Sequence, residues 1–179
     1  MRSLWKHTFV VACSSVMLAA PLPSFAAAPD LYVKIGPIVK ETSPLRTVYK
    51  VDVTVGNAGN VAPNASVYAF LRVSTASGPV CPELGIPDIQ GRLSPGAAFK
   101  AFRFQVTYPG PATQLQPGAT KKGALKDLQL VGYTIEAEVK YLNYPCSNFE
   151  SNCLNNYPLP PASRGFLSGG TPSCVKVVQ

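Results

Sequence analysis

The chain has 179 residues and a formal net charge of +7, from 16 Lys and Arg against 9 Asp and Glu. This length suits one domain with a hydrophobic core, and the 18 prolines and 14 glycines disfavour long helices. The single His, His7, lies in an N-terminal segment that we expect to be removed. The remaining chain therefore lacks Ser-His and Cys-His nucleophile pairs and His-ligated metals.

Residues 1–26 have the layout of a secretory signal peptide: a basic start, an apolar run from Thr8 to Ala20, and small residues before a cleavage point after Ala26. The apolar run is shorter than the roughly 20 residues that cross a bilayer as a helix. We therefore expect an exported protein, periplasmic or secreted, with residues 27–179 as a single domain and no transmembrane segment. A lipoprotein box ending at Cys13 is a minor alternative, because it leaves a very short apolar run.

Alternation of hydrophobic and polar residues is the main signal along the rest of the chain, and Gly, Pro and Asn separate its blocks. A further short strand, Cys174 to Val178, follows the last block. About seven short strands predict an all-β fold, an immunoglobulin-like antiparallel β-sandwich. The residues predicted to face inward are Leu31, Val33, Ile35, Tyr49, Val51, Val53, Val55, Val67, Ala69, Leu71, Val73, Phe102, Phe104, Val106, Tyr133, Ile135, Ala137, Val139 and Tyr141.

Of the five cysteines, all except Cys13 lie beyond the signal peptide, and these four allow three disulfide pairings. An even number of cysteines in an exported protein is typical of disulfides. Cys146 and Cys153 flank a predicted turn, so we pair them with each other, and Cys81 then pairs with Cys174. A four-thiolate zinc site is disfavoured because the chain has no CxxC spacing.

Five short motifs follow one another along the chain: Pro29-Asp30-Leu31, Asn57-Ala58-Gly59, Leu93-Ser94-Pro95-Gly96, Gly132-Tyr133, and the closing turn motif with Glu150, Asn152, Asn155 and Asn156. Their order resembles CARDB, the cell-adhesion-related domain found in bacteria. The resemblance covers the chain from the first motif to Asn156, and it implies an immunoglobulin-like sandwich outside the cytoplasm that acts as an adhesion, spacer or binding module. The cysteines, the long segment Pro109–Gly123 and the proline-rich tail after Asn156 depart from the family pattern.

The closing motif, ESNCLNN, has two interpretations. Glu150, Asn152 and Asn155 offer oxygens to Ca²⁺, but one carboxylate is few for a cation that takes about 6 to 8 oxygen ligands. As a turn, the composition follows directly, because Asn tolerates left-handed backbone and hydrogen-bonds its own main chain. We favour the turn and expect no metal or cofactor.

Other chemistry is weakly represented. Glu136 and Glu138 share one strand face, which is the arrangement of a paired-carboxylate site, but alternating charge is also what a solvent-exposed strand face carries, and we favour the latter. The basic residues are spread along the chain, and Lys121-Lys122 is the only adjacent pair, so nucleic-acid binding is not expected. We therefore predict a protein that is not an enzyme.

The predicted function is that of an exported binding or adhesion module for a protein or polysaccharide of the envelope or extracellular space. Its contacts are expected in three connections, Gly78–Pro87, Pro109–Gly123 and Tyr157–Gly170, since a rigid sandwich tends to carry function on its loops. The alternative is an assembly subunit of a larger envelope complex that pairs by a sheet edge. The aromatic residues proposed to face a ligand are Tyr144, Phe149, Tyr157 and Phe166, with Tyr141 expected in the core.

Overall fold

The computed structural model describes residues 27–111, 130–142, 145–146, 149–150, 152–156 and 162–178. The predicted signal peptide with Cys13, most of the segment Pro109–Gly123, and the aromatic residues Tyr144 and Tyr157 lie outside these residues. Within the described part of the chain, no helix is long and apolar enough to span a membrane.

The described residues form nine strands, not the predicted seven or so. The prediction missed β4, β5 and β8, which arise from segments interpreted as connections. These strands are short and rich in Gly, Pro or Ser, so they lack the alternation that marks the others. The strands are β1 (Leu31–Thr42), β2 (Arg46–Asn57), β3 (Val67–Thr75), β4 (Gly78–Pro79), β5 (Leu84–Ile86), β6 (Ala98–Pro109), β7 (Leu130–Tyr141), β8 (Ala162–Leu167) and β9 (Thr171–Lys176).

The strands build two antiparallel sheets that pack face to face, which confirms the predicted sandwich. Sheet A has the order β1-β2-β6-β9. In sheet B, β3 pairs with β7 and β7 with β8, while β4 and β5 both pair with the other side of β3. The chain therefore crosses repeatedly between the sheets, and β9 completes sheet A beside β6.

The core lies between the sheets and follows from the alternation. Phe102, Phe104 and Val106 on β6 are fully buried, as predicted. Rings from the two sheets meet at the centre, where Phe104 lies 5.0 Å from Tyr133 and 5.3 Å from Phe166, measured between ring centroids. Phe166 is only 3% exposed, so its assignment as a ligand-facing residue was wrong. Its pairing with Val131 turns it toward the core.

Both predicted disulfides are present in the structure. Cys81, between β4 and β5, is bonded to Cys174 on β9, with their Cα atoms 6.2 Å apart. This bond joins the edges of the two sheets. Cys146 is bonded to Cys153, with a Cα separation of 5.8 Å. Two disulfides indicate an oxidising compartment, as expected for an exported protein.

Candidate functional site

The described residues of the ESNCLNN segment lie against the start of β1. Its Glu150 is 6% exposed, and the two carboxylate oxygens have separate partners. Oε2 accepts the Leu31 backbone N–H at 2.7 Å, and Oε1 accepts the Asn156 side-chain amide at 3.1 Å. Asn156 is itself buried and ends a short 3-10 turn, Leu154–Asn156. The segment thus holds the first residue of β1 from a position 119 residues later in the chain.

Burial raises the pKa of Glu150 to about 7. Removal of the carboxylate from water is the largest cause, and the nearby charge of Asp30 acts in the same direction. The hydrogen bonds from Leu31 and Asn156 lower the pKa but do not offset the burial. Glu150 is therefore a carboxyl group that changes protonation near neutral pH inside the fold.

Asn57 anchors the same N-terminal segment from the end of β2. Its Oδ1 accepts the backbone N–H groups of Asp30 at 3.0 Å and Gly59 at 2.9 Å, and its Nδ2 donates to the carbonyls of Val61 and Leu93 at 2.8 and 2.9 Å. The side chain is completely buried, so all four hydrogen bonds lie in or near the core. Asn57 therefore does more than form a tight turn, because its side chain also bonds the backbone of Asp30 and Leu93, which are distant in sequence.

Asn155 completes the arrangement through a 2.8 Å hydrogen bond from Nδ2 to Asp30 Oδ1. We call Asp30, Asn57, Glu150, Asn155 and Asn156 the N-terminal clasp. Its members come from three of the five motifs that suggested the family resemblance, and the Asn57 amide also donates to the carbonyl of Leu93 in a fourth. These motifs therefore share one structural task.

The contacts of the ESNCLNN segment are those of a turn. Asn152 Oδ1 accepts the Leu154 N–H at 3.3 Å, which is the local side-chain to backbone bond that Asn provides in turns. Among the described residues, no group of three or more His, Cys, Asp or Glu side chains is placed to hold a metal ion. Sequence reasoning identified Glu150 and the three asparagines but missed Asp30 and Asn57 as their counterparts.

The predicted aromatic ligand face is not assembled by its described members. Phe149 is partly buried and stacks on Tyr141 with a centroid distance of 4.5 Å, and Tyr141 is buried as expected. Phe166 belongs to the central core. Tyr144 and Tyr157 lie outside the described residues.

The outer face of sheet B carries paired charges. Arg72 Nη2 lies 2.7 Å from Glu83, and its Nη1 lies 3.5 Å from Glu136. Lys140 is 3.8 Å from Glu138 and 5.1 Å from the ring centre of Phe70. Each carboxylate of the Glu136 and Glu138 pair therefore faces a cation on an open strand surface.

The outer face of sheet A has a different character, because a cleft of about 430 Å³ opens where β1 bulges. Gly36 and Pro37 form the bulge between Ile35 and Ile38, and they interrupt the pairing of β1 with β2. We call this feature the β1 cleft. It is lined by Tyr32, Lys34, Gly36, Pro37, Val39, Asp52, Thr54 and Lys100.

No protein-family model matches this chain, and no curated protein matches it either. The CARDB resemblance consequently stays a prediction that rests on short motifs. The fold itself defines the class of the molecule, a disulfide-linked antiparallel β-sandwich.

Proposed function

We propose that this protein is an exported, non-catalytic binding module for a polysaccharide or protein of the envelope or extracellular space. The observation that carries the proposal is the uncovered half of β1. Residues 37–42 are all exposed, and Val39 is 44% exposed. The turn that follows ends in Leu45, which is 85% exposed. Exposed apolar side chains concentrated on one hairpin are typical of contact surfaces.

The rest of the sandwich supports this role as a rigid frame. The N-terminal clasp fixes the start of β1. At the other edge of sheet A, the bond between Cys81 and Cys174 joins β9 to the segment between β4 and β5 of sheet B. Half of Gly78–Pro87, one of the connections expected to bind a ligand, is built into β4 and β5. We therefore assign the contacts to β1 and the outer face of sheet A instead of to that connection.

An assembly subunit that pairs by a sheet edge is the second candidate, and the position of β1 favours it. Among the described strands, β1 pairs with β2 alone, so its other side is open to a partner strand. The bulge at Gly36 and Pro37 protects the middle of this edge, since Pro lacks an N–H donor. A partner strand would therefore align with Ile38–Thr42.

Chemical cross-linking in intact cells tests the proposal. The tagged native protein is captured after cross-linking, and the bound species are identified by mass spectrometry and by glycan analysis. We expect a saturable envelope partner, and a Val39→Glu variant is expected to reduce its recovery. A single stoichiometric protein would favour the assembly subunit. Recovery of the monomer alone, with neither protein nor glycan, would contradict both candidates.

The variant needs a matched control that changes an exposed apolar residue elsewhere. Leu154→Glu serves this purpose, because Leu154 is 66% exposed and lies at the end of the sandwich that carries the N-terminal clasp. Partner recovery should match that of the native protein. Equal losses in the two variants would indicate a general effect of added charge and would count against β1 as the contact surface.

A further inference from the structure

Three side chains form a row across the outer face of sheet A. Lys34 on β1 is opposite Thr54 on β2, and Thr54 is opposite Lys100 on β6. Paired residues in antiparallel strands have Cα atoms about 5 Å apart, so the two lysines flank the Thr54 hydroxyl from either side. The row lies in the β1 cleft, whose lining includes all three residues.

The charges around this row are unbalanced. Asp52, the nearest carboxylate, accepts two hydrogen bonds from Arg103 at 2.6 and 3.2 Å and lies 2.9 Å from Lys100 Nζ. The Arg103 hydrogen bonds lower the pKa of Asp52, so this carboxyl group is ionised. Lys34 is exposed and forms no ion pair with any described residue. The ion pair of Lys50 and Glu41 lies next to Arg103, so four cations face two carboxylates and the cluster has a net charge of +2.

Lys100 retains the capacity to bind a further acceptor. Its side chain is 60% exposed although it contacts Asp52, and an ammonium group has three N–H donors. An anionic group above Thr54 would thus meet three groups: the unpaired ammonium of Lys34, the ammonium of Lys100, which also contacts Asp52, and the Thr54 hydroxyl. This set of donors suits a small anionic group such as a carboxylate.

An aromatic ring borders the row. Tyr32 is opposite Gly56 on the same face, and its ring covers that glycine so closely that a Cβ at Gly56 would overlap it. The ring therefore lies along the sheet and lines the β1 cleft. Pro37 and Val39 line the cleft with further apolar surface. A flat apolar surface beside a few polar groups is the usual composition of a small-ligand site.

We propose that the β1 cleft binds a carboxylate-bearing saccharide, in which the carboxylate lies between Lys34 and Lys100 above Thr54 and the sugar ring packs on Tyr32. A uronic acid unit of an acidic polysaccharide has this chemistry. The inference rests on the proposed function, because it specifies the ligand of a binding module whose contacts lie on β1 and sheet A.

Isothermal titration calorimetry with a short oligogalacturonate tests the inference on the purified, disulfide-intact protein. Its methyl ester, which keeps the sugar rings and removes the charge, is titrated in parallel, as is inorganic phosphate. We expect Lys34→Ala to weaken binding about tenfold, the effect of one lost charge-assisted hydrogen bond. The methyl ester should bind at least about tenfold more weakly than the acid.

Lys176→Ala is the matched control, because Lys176 is also exposed but lies on β9 outside the cleft. It should leave the affinity unchanged. Tyr32→Leu separates the contribution of the ring from that of the charge, with circular dichroism to verify the fold. We expect this variant to lose affinity for the acid while its unfolding transition stays cooperative.

Three results would overturn the inference. The first is that the oligogalacturonate does not bind. The second is that Lys34→Ala and Lys176→Ala weaken its binding equally. The third is that phosphate binds as tightly as the saccharide. If the titration fails while cross-linking in cells still captures a β1-dependent partner, the proposed function stands and only the saccharide is excluded. If both fail, the proposed function fails with the inference.

Discussion

Stability should fall as the pH rises through neutrality because of Glu150. Its pKa is raised by burial to about 7 from an ordinary value of 4.5. The folded protein therefore holds this proton up to about pH 7, whereas the unfolded chain releases it near pH 4.5. The stabilisation from the protonated group is complete below the unfolded-state pKa of 4.5 and is lost as the pH rises through the folded-state pKa of about 7.

The magnitude follows from the difference between the two pKa values. One pH unit of difference corresponds to about 1.4 kcal/mol, so this group removes about 3 kcal/mol of unfolding free energy between about pH 4 and pH 8. Glu150→Gln abolishes the titration and keeps a hydrogen-bond acceptor for the Leu31 N–H. Subtracting the unfolding free energy of the variant from that of the native protein at each pH also cancels the contributions of the other carboxyl groups.

Urea denaturation followed by circular dichroism, at several pH values and with intact disulfides, measures this difference. As the pH rises from about 4 to 8, the unfolding free energy of the native protein should fall by about 3 kcal/mol relative to that of Glu150→Gln. Glu150→Ala should have an unfolding free energy about 2 kcal/mol below that of Glu150→Gln at every pH, because Leu31 and Asn156 lose their acceptor. A difference between native and Glu150→Gln proteins that is flat, or that grows in the opposite direction, would refute the reasoning.

Three further changes test the frame of the sandwich by denaturation. Replacing Cys81 and Cys174 by Ser should cost about 4.5 kcal/mol, because this bond closes a loop with a sequence separation of 93. Replacing Cys146 and Cys153 should cost about 2.5 kcal/mol, since their separation is only 7, and a larger loss than for the long loop would contradict the loop-closure account. Asn57→Ala should cost about 3 kcal/mol, because it removes four hydrogen bonds from a buried position; a loss below about 1 kcal/mol would show that the clasp is dispensable.

The long strands were predictable because their signal is local. Val51, Val53 and Val55 alternate with polar residues on β2, and this period of two defines both the strand and its buried face. Strand β8 carries no comparable alternation, and it forms through pairing with β7. The burial of Phe166 depends on that pairing, which explains why an aromatic residue after a proline-rich segment was assigned to the surface.

The candidate sites were less predictable because they depend on contacts between distant residues. The Asn-rich composition of ESNCLNN indicated a turn, but nothing local linked Glu150 to Leu31, 119 positions away. The β1 cleft depends in the same way on register. Lys34, Thr54 and Lys100 become neighbours only when three strands align, and a bulge in β6 opposite Val53 and Thr54 sets part of that alignment.

A photo-crosslinking residue placed at Val39 in cells tests the central claim most directly, with the same residue at Leu154 in a separate sample. Both positions are exposed, but only Val39 lies on the proposed contact surface. We expect a specific adduct, a protein or a glycan, from Val39 and none from Leu154. No adduct from Val39, or the same adduct from both positions, would contradict the assignment of β1 as the surface through which this protein binds.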